Sequence, residues 1–490
     1  MSPINVKPSR ILLFQVPLPT RYAARPMTSM SYTSTRGKTP AMGFARAVMT
    51  GLAPDGGLLV PDCFPDVRDR LARWSSLAYA DLAFEVMRLF SDLPEADLRA
   101  LVNRSYATFR HPEVAPTIAA GPVHVLELFH GPTLAFKDIA LQFLSNFFEY
   151  QLGRENGRLN IVGATSGDTG SAAIHGVAGR DRMNIFIMHP KGRVSPLQER
   201  QMTSVLDANV FNIALEGTFD DGQRIMKTLF EDVPFKEQYA LGAINSVNWA
   251  RVLAQIVYYF YAAFAVMKRT GADRVRFAVP TGNFGDVLAG YYAQRMGLPV
   301  SRLVLATNEN DILARFFTRG EYSKGSVVPT ISPSMDIQVA SNFERYLFER
   351  VQRDAAALRG LMAGFSATGS LTVPHEAGKP VDPLFAAGVG HTEATMAVIR
   401  RYYREHGYLL DPHTAVGVHV AEQHLDANEP MICLATAHPA KFPQAIAEAL
   451  GEDVARHPIL DALKDAPTRC VTLPNDLAAI RAYIEENART

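Results

Sequence analysis

Residues 160–178, NIVGATSGDTGSAAIHGVA, decide the reading of the fold. The stretch opens on a short apolar run at 160–164 and passes through a turn of small and hydroxyl residues. It continues from 171 to 178 with the spacing of a helix. A strand leading through such a turn into a helix is the repeating unit of a parallel sheet covered on both faces. The unit recurs. Apolar runs at 184–188, 209–215, 274–279, 302–306 and 431–435 are followed by helical patterns at 196–206, 220–230, 286–296, 311–319 and 442–450. The body from residue 119 to 490 therefore reads as α/β, and its chemistry is expected in the turns at the carboxyl ends of the strands.

Outside that rhythm the chain is read in pieces. Residues 30–118 read as a helical region with loops, with helices over 77–90 and 95–109, and show no chemistry. Residues 1–29 carry Lys7, Arg10, Arg21 and Arg25 and no acid, which resembles a weak organelle-targeting segment. With Met30 opening a better domain start, they are expected to be a disordered extension or an overcalled start. Residues 330–410 break the rhythm at Pro333 and Pro374 and are expected to be inserted or peripheral. The longest apolar run, 252–267, has 16 residues and is interrupted by Gln255. A membrane span needs about 20 residues, so a buried helix is expected.

Length and composition set limits. A chain of 490 residues gives a prior of two to three domains. With 48% apolar residues and 20% charged, it is globular rather than disordered. The 49 basic and 49 acidic residues cancel and leave no electrostatic footprint for nucleic acid or an anionic membrane. Cys63, Cys433 and Cys470 are odd in number and scattered, which fits a reducing cytoplasm. No CxxC pair or HExxH helix suggests a metal, and GxxxxGK[ST], GxGxxG and GxSxG are missing.

Three turns carry chemistry. In HGPTLAFKDIALQF, 130–143, Lys137 lies between apolar neighbours where a helix begins. A cation is disfavoured at a helix N-terminus, and burial lowers an amine's pKa further. Such a lysine suits a Schiff base and proton transfer; taken alone, the segment reads more readily as a lysine that snorkels outward and pairs with Asp138. In GATSGDTGSAA, 163–173, Thr165, Ser166, Asp168 and Thr169 precede a helix. That turn is either a cradle for a carboxylate or phosphate or a capped strand–helix connection. In VPTGNFGDVLAG, 279–290, Gly282 and Gly285 expose backbone N–H groups and make a second anion cradle. Two cradles and an activated lysine suit pyridoxal 5′-phosphate holding an amino acid.

The motifs STRG (34–37), GLAPDGGLLVP (51–61), ELFHGPTLAFKD (127–138), TSGDTG (165–170), SPLQE (195–199), INSVNWARVLAQIVYYF (244–260), PTGNFGD (280–286) and ATAHPAKF (435–442) occur in that order. Together they resemble the threonine synthase family, pyridoxal-phosphate enzymes of the tryptophan-synthase-β-like fold. The resemblance implies a two-domain fold type II body, an N-terminal mainly helical domain, and a lyase acting on O-phospho-L-homoserine. It implies Lys137 as the Schiff-base lysine, and Gly282, Asn283, Phe284, Gly285 and Asp286 as the cofactor phosphate loop. It also implies Thr436 at the pyridine nitrogen, where a neutral hydroxyl keeps the ring a moderate electron sink. Thr165, Ser166, Asp168, Thr169, Asn248 and Arg251 are expected at the substrate. Arg251 is the candidate for the substrate phosphate, since a guanidinium grips phosphate in two places; capping a neighbouring carboxylate is its other reading. Lys191 is a second phosphate candidate. A phospho-lyase giving 2-oxobutyrate would share every motif, and a non-catalytic cofactor-binding relative would be expected to lose Lys137. A small-molecule enzyme, monomeric or homodimeric and cytoplasmic, is expected, with no nucleic acid, membrane or metal partner.

Overall fold

The computed structural model describes residues 30–165, 167–376 and 378–488, so the expectations for residues 1–29 and Ser166 lie outside the described residues. Two parallel sheets form the body. The smaller runs Val471–Pro474, Val210–Glu216, Met183–Pro190, Leu159–Ala164, Leu241–Gly242, all parallel. The larger runs Phe385–Val389, Val300–Thr307, Val275–Pro280, Met431–Ala435, Val123–Glu127, Thr117–Ala120, and only its last pair is antiparallel. Met183–Pro190 is buried at every position, as a strand covered on both faces must be.

Two long helices fill the space between the sheets and the N-terminal region. The lysine helix, Lys137–Glu155, ends at Asn156 in the left-handed conformation. It is buried on nearly every side over residues 138–148, so its apolar content is not confined to one face. The arginine helix, Trp249–Thr270, begins under an Asn248 side-chain cap and ends at Gly271, whose φ of 74° satisfies the last turn at no steric cost. By length and composition it could cross a membrane, but most of it is packed inside the body, as the sequence predicts.

Residues 30–106 are mainly helical, with Phe44–Thr50, Tyr79–Met87 and Glu95–Tyr106, plus a two-stranded ribbon, Tyr32–Ser34 with Leu59–Pro61, that periodicity does not reveal. This region docks through aromatic contacts, Tyr32 to Trp249 at 5.9 Å and Phe44 edge-on to Phe147 at 5.6 Å. A single apolar cluster runs from Tyr32 through Phe143 to Trp249 and Leu434, so the N-terminal region shares its core with the body.

One expectation is corrected. Residues 330–410 are not peripheral. Phe385–Val389 extends the larger sheet in parallel, Phe343–Arg350 braces the 282–286 turn, and the short turn at Pro333–Met335 lies over Lys137. The prolines that interrupt the periodicity sit in connections, where a missing N–H is tolerated.

Candidate active site

Lys137 is the first residue of its helix, and the preceding loop brings it to the end of another strand. The N–H of Phe136 donates to the Thr436 carbonyl at 2.8 Å, the N–H of His438 donates to the Leu134 carbonyl at 3.0 Å, and Ala135 bridges Ala437. Lys137 and Thr436, far apart in sequence, thus meet at the carboxyl end of Met431–Ala435.

The Lys137 side chain is 12% exposed. Its Nζ lies 3.5 Å from Ser334 Oγ and 3.8 Å from Asp168 Oδ2. Burial lowers its pKa, Asp168 opposes that, and the charges of Arg251 and Lys441 add to the lowering. It does not pair with Asp138, which accepts the N–H of Thr133 at 2.8 Å and its hydroxyl at 2.7 Å. Burial pushes the Asp138 carboxyl up to about 6.

The 282–286 turn follows the strand Val275–Pro280. Among the described residues, no acceptor is found for the backbone N–H groups of Gly282, Asn283, Phe284, Gly285 and Asp286. Phe284 takes φ of 64° to begin the helix Gly285–Arg295, and its buried ring anchors the turn against Phe317. A Cβ on Gly282 would stand 2.6 Å from the Ser334 carbonyl oxygen, so only glycine fits there. The same Ser334 therefore touches both Lys137 and this turn. Asn342 secures the turn from behind: its N–H donates to the Asn283 carbonyl at 3.0 Å and its amide to the Ser246 carbonyl at 3.0 Å. Buried Arg345 holds Asn342 Oδ1 at 2.5 Å and the carbonyls of Leu59 and Val247 at 2.8 and 2.6 Å. Asp286 turns its carboxylate away from the turn, to the hydroxyls of Tyr258 at 2.5 Å and Tyr259 at 3.0 Å. Burial pushes it up to about 6, against the pull of both hydroxyls.

The 165–170 turn is differently made. Thr165 Oγ1 accepts the N–H groups of Gly167 at 3.2 Å and Gly170 at 3.1 Å, so the turn is partly closed on itself. Asp168 is buried and accepts from Lys441 Nζ at 3.1 Å and Gln198 Nε2 at 3.1 Å. Burial opposes its charge, but Lys441 and then Lys137 outweigh that and hold the carboxyl well below the usual carboxylate range. Thr169 is half-buried at the start of the helix Asp168–Val177.

Arg251 lies in the first turn of its helix and is 5% exposed. Its Nε and Nη1 have no hydrogen-bond partner among the described residues. Burial lowers its pKa to about 10. An unsatisfied buried guanidinium is costly unless an anion comes to it. Asn248 is spent differently: its Oδ1 caps the N–H of Ala250 at 3.0 Å and its amide donates to the Val48 carbonyl at 2.8 Å. Lys191 is half-exposed, 3.1 Å from Glu216, in an ordinary surface ion pair.

Sequence reasoning did not single out Ser334, His413, Asn342, Arg345 or Lys441. His413 Nε2 accepts the N–H of Ser334 at 3.2 Å, while its Nδ1 meets Asp411 at 2.9 Å. Lys441 had a signal, a lysine between Ala440 and Phe442 just past a strand; the others gave none that periodicity could carry. The N-terminal region, which shows no chemistry in sequence, supplies the Val48 and Leu59 carbonyls that fix Asn248 and Arg345.

These residues fit pyridoxal phosphate: a glycine cradle with unspent N–H groups, a buried amine beside it, and an unpaired guanidinium in reach of its field. Family models described as "Threonine synthase N terminus", "Pyridoxal-phosphate dependent enzyme" and "Threonine synthase, C-terminal" match residues 31–106, 109–362 and 414–484. The chain is a pyridoxal-phosphate-dependent lyase of fold type II. A threonine synthase from Pseudomonas aeruginosa is 47% identical over 94% of this chain and 98% of its own length. One from Schizosaccharomyces pombe is 47% identical over 86% and 90%. The crystal structure of pyridoxal-phosphate-bound threonine synthase from Brucella melitensis is 45% identical, covers 94% of this chain and 100% of its own, and superposes with a TM-score of 0.89. The chain belongs to the threonine synthase family.

Proposed function

We propose that the chain converts O-phospho-L-homoserine and water to L-threonine and phosphate, the last step of threonine biosynthesis, as a cytoplasmic monomer or homodimer. The observation that carries this reading is the buried Arg251 guanidinium with two unpaired nitrogens, close enough for its charge to lower the pKa of Lys137. A substrate bearing its own phosphate, separate from the cofactor's, gives that cation its partner.

Bound pyridoxal phosphate supplies an electron sink for the bonds at the amino-acid Cα. Gly282, Asn283, Phe284, Gly285 and Asp286 would hold its phosphate through their backbone N–H groups, Thr436 would serve its ring nitrogen, and Lys137 would hold it covalently. Asp286 contributes its N–H and not its carboxylate. The hydroxyls of Thr165, Ser166 and Thr169 receive the substrate carboxylate. Asn248 acts as the cap that aims the arginine helix, and Asp168 as the counter-charge of two lysines.

Once released, the Lys137 amine takes the substrate's Cα proton, and it takes a Cβ proton only after that first proton has been passed on and the amine is neutral again. Burial lowers its pKa and so favours the neutral, proton-accepting amine. Arg251 grips the substrate phosphate and stays with it as the Cγ–O bond breaks, offsetting the charge that develops on the leaving oxygen. Lys137 returns a proton to Cγ and, after water has added at Cβ, a proton to Cα. One amine serves every transfer because Cα, Cβ and Cγ are consecutive atoms of one substrate held by both ends.

Incubating the chain with pyridoxal phosphate and O-phospho-L-homoserine tests this. Threonine and phosphate in equal amounts are expected; 2-oxobutyrate with ammonia would assign the competing phospho-lyase reaction.

A further inference from the structure

Lys441 is a second buried lysine, held by the same carboxylate that faces Lys137. Its side chain is 0% exposed, and its ammonium is matched by three oxygens: the Thr133 carbonyl at 2.7 Å, Gln201 Oε1 at 2.6 Å and Asp168 Oδ1 at 3.1 Å. With every donor used inside the protein, it has no capacity left to grip a ligand. The other oxygen of Asp168 lies 3.8 Å from Lys137. One carboxylate therefore stands between two amines, one fully coordinated and one free to react. Gln198 donates to Asp168 from the same side as Lys441's contacts and fixes the carboxylate plane.

We propose that Lys441 is a positioning residue for the reaction: it pins the Asp168 carboxylate from behind and so limits how much negative charge the Lys137 amine feels. The charged and titratable groups around Lys137 are few. Asp138 on its own helix is turned to Thr133, Asp168 faces it from the helix Asp168–Val177, Arg251 from the arginine helix and Lys441 from the turn after Met431–Ala435. His413 stands behind Ser334 with its Nδ1 on Asp411. Of the carboxylates, only Asp168 is aimed at the amine. Removing the Lys441 charge acts twice in one direction. It frees Asp168 to attract a proton onto Lys137, and it removes a like charge that repels one. Lys137 then stays protonated to higher pH and becomes a poorer base at neutrality.

The inference rests on Lys137 as the working amine. It is tested without cofactor or substrate, so its failure is distinct from failure of the proposed reaction. The full-length chain, freed of pyridoxal phosphate, is labelled with acetic anhydride across a pH series, and the fraction of Lys137 modified is read by mass spectrometry of its peptide. Lys441→Met and Lys441→Gln are expected to move the Lys137 labelling midpoint upward by about one pH unit, roughly tenfold in proton affinity. Asp168→Asn is expected to move it downward, and Lys441→Arg, which keeps the cation, to leave it near the parent value. A structural clamp alone would lower thermal stability and leave the midpoint in place. A folded Lys441→Gln chain with an unmoved or lowered midpoint overturns the proposal. So does loss of the near-ultraviolet circular dichroism of both neutral variants, since Lys441 then serves only the fold.

Discussion

The turns at 165–170 and 282–286 look alike in sequence, each a Gly-rich passage from a buried strand into a helix. They do opposite things with their backbone. In the first, the Thr165 hydroxyl consumes the N–H groups of Gly167 and Gly170, and Asp168 is tied to Lys441. In the second, the N–H groups from Gly282 to Asp286 are left without acceptors among the described residues, while Asn342 and Arg345 hold the turn by its carbonyls from outside. A turn that satisfies itself is part of the frame; a turn held open by its neighbours is a place for an anion. On the proposed reading the cofactor phosphate goes to the second turn, and the first offers its side-chain hydroxyls.

The largest expected effect lies outside both turns and sets the scale. Lys137→Ala should cost at least about 10²–10⁴ in the rate of threonine formation, the usual worth of a positioned acid–base group, with wild-type thermal stability retained. Next comes Arg251→Ala, which should cost about 2–4 kcal/mol in kcat/KM for breaking a charged hydrogen-bonded pair. Equilibrium dialysis should find its pyridoxal phosphate affinity unchanged if, as proposed, the 282–286 turn holds that phosphate. Weakened cofactor binding would move Arg251 to the cofactor instead.

Two smaller effects separate the turns directly. Gly282→Ala forces a Cβ against the Ser334 carbonyl, and overpacking of this kind costs about 1–3 kcal/mol. The loss should appear in cofactor affinity more than in the melting temperature of the cofactor-free chain. Thr165→Val strips two buried N–H groups of their acceptor and should cost about 1–3 kcal/mol of unfolding free energy, with cofactor affinity little changed. If both variants lose cofactor equally, the distinction between the turns fails.

A further effect is a pH slope. The Asp286 carboxyl is raised to about 6 in the folded chain from 3.8. The folded state thus holds its proton more tightly than the unfolded chain between those values, so stability from this group falls as pH rises from about 4 to 6. Asp286→Asn removes that slope. Its unfolding midpoint should gain on the parent's across that window, as measured by thermal scans of the cofactor-free chain.

Much of this was legible in the sequence because it is local. The strand at 160–164 begins one residue earlier in the structure, and the helix expected at 171–178 begins earlier still, at Asp168, because Gly167 permits the sharp entry. Lys137 and the 282–286 turn announced themselves by residue type at an element boundary. The remainder was hidden because it depends on pairings between distant segments. Nothing near Asn342 or Arg345 shows that their partners are at 59, 247 and 283, and the prolines of 330–410 mask a strand that pairs 82 positions away, Phe385 with Leu303. The destination of the Asp286 side chain was hidden for a related reason: two tyrosines on another helix claim its carboxylate.

Lys137, and not the more deeply buried Lys441, is the amine proposed to carry the cofactor. Reducing the chain with borohydride in the presence of pyridoxal phosphate and mapping the modified peptide decides between them. The account predicts a single pyridoxyl label on Lys137, absent from Lys137→Ala; a label on Lys441 or Lys191 would contradict it.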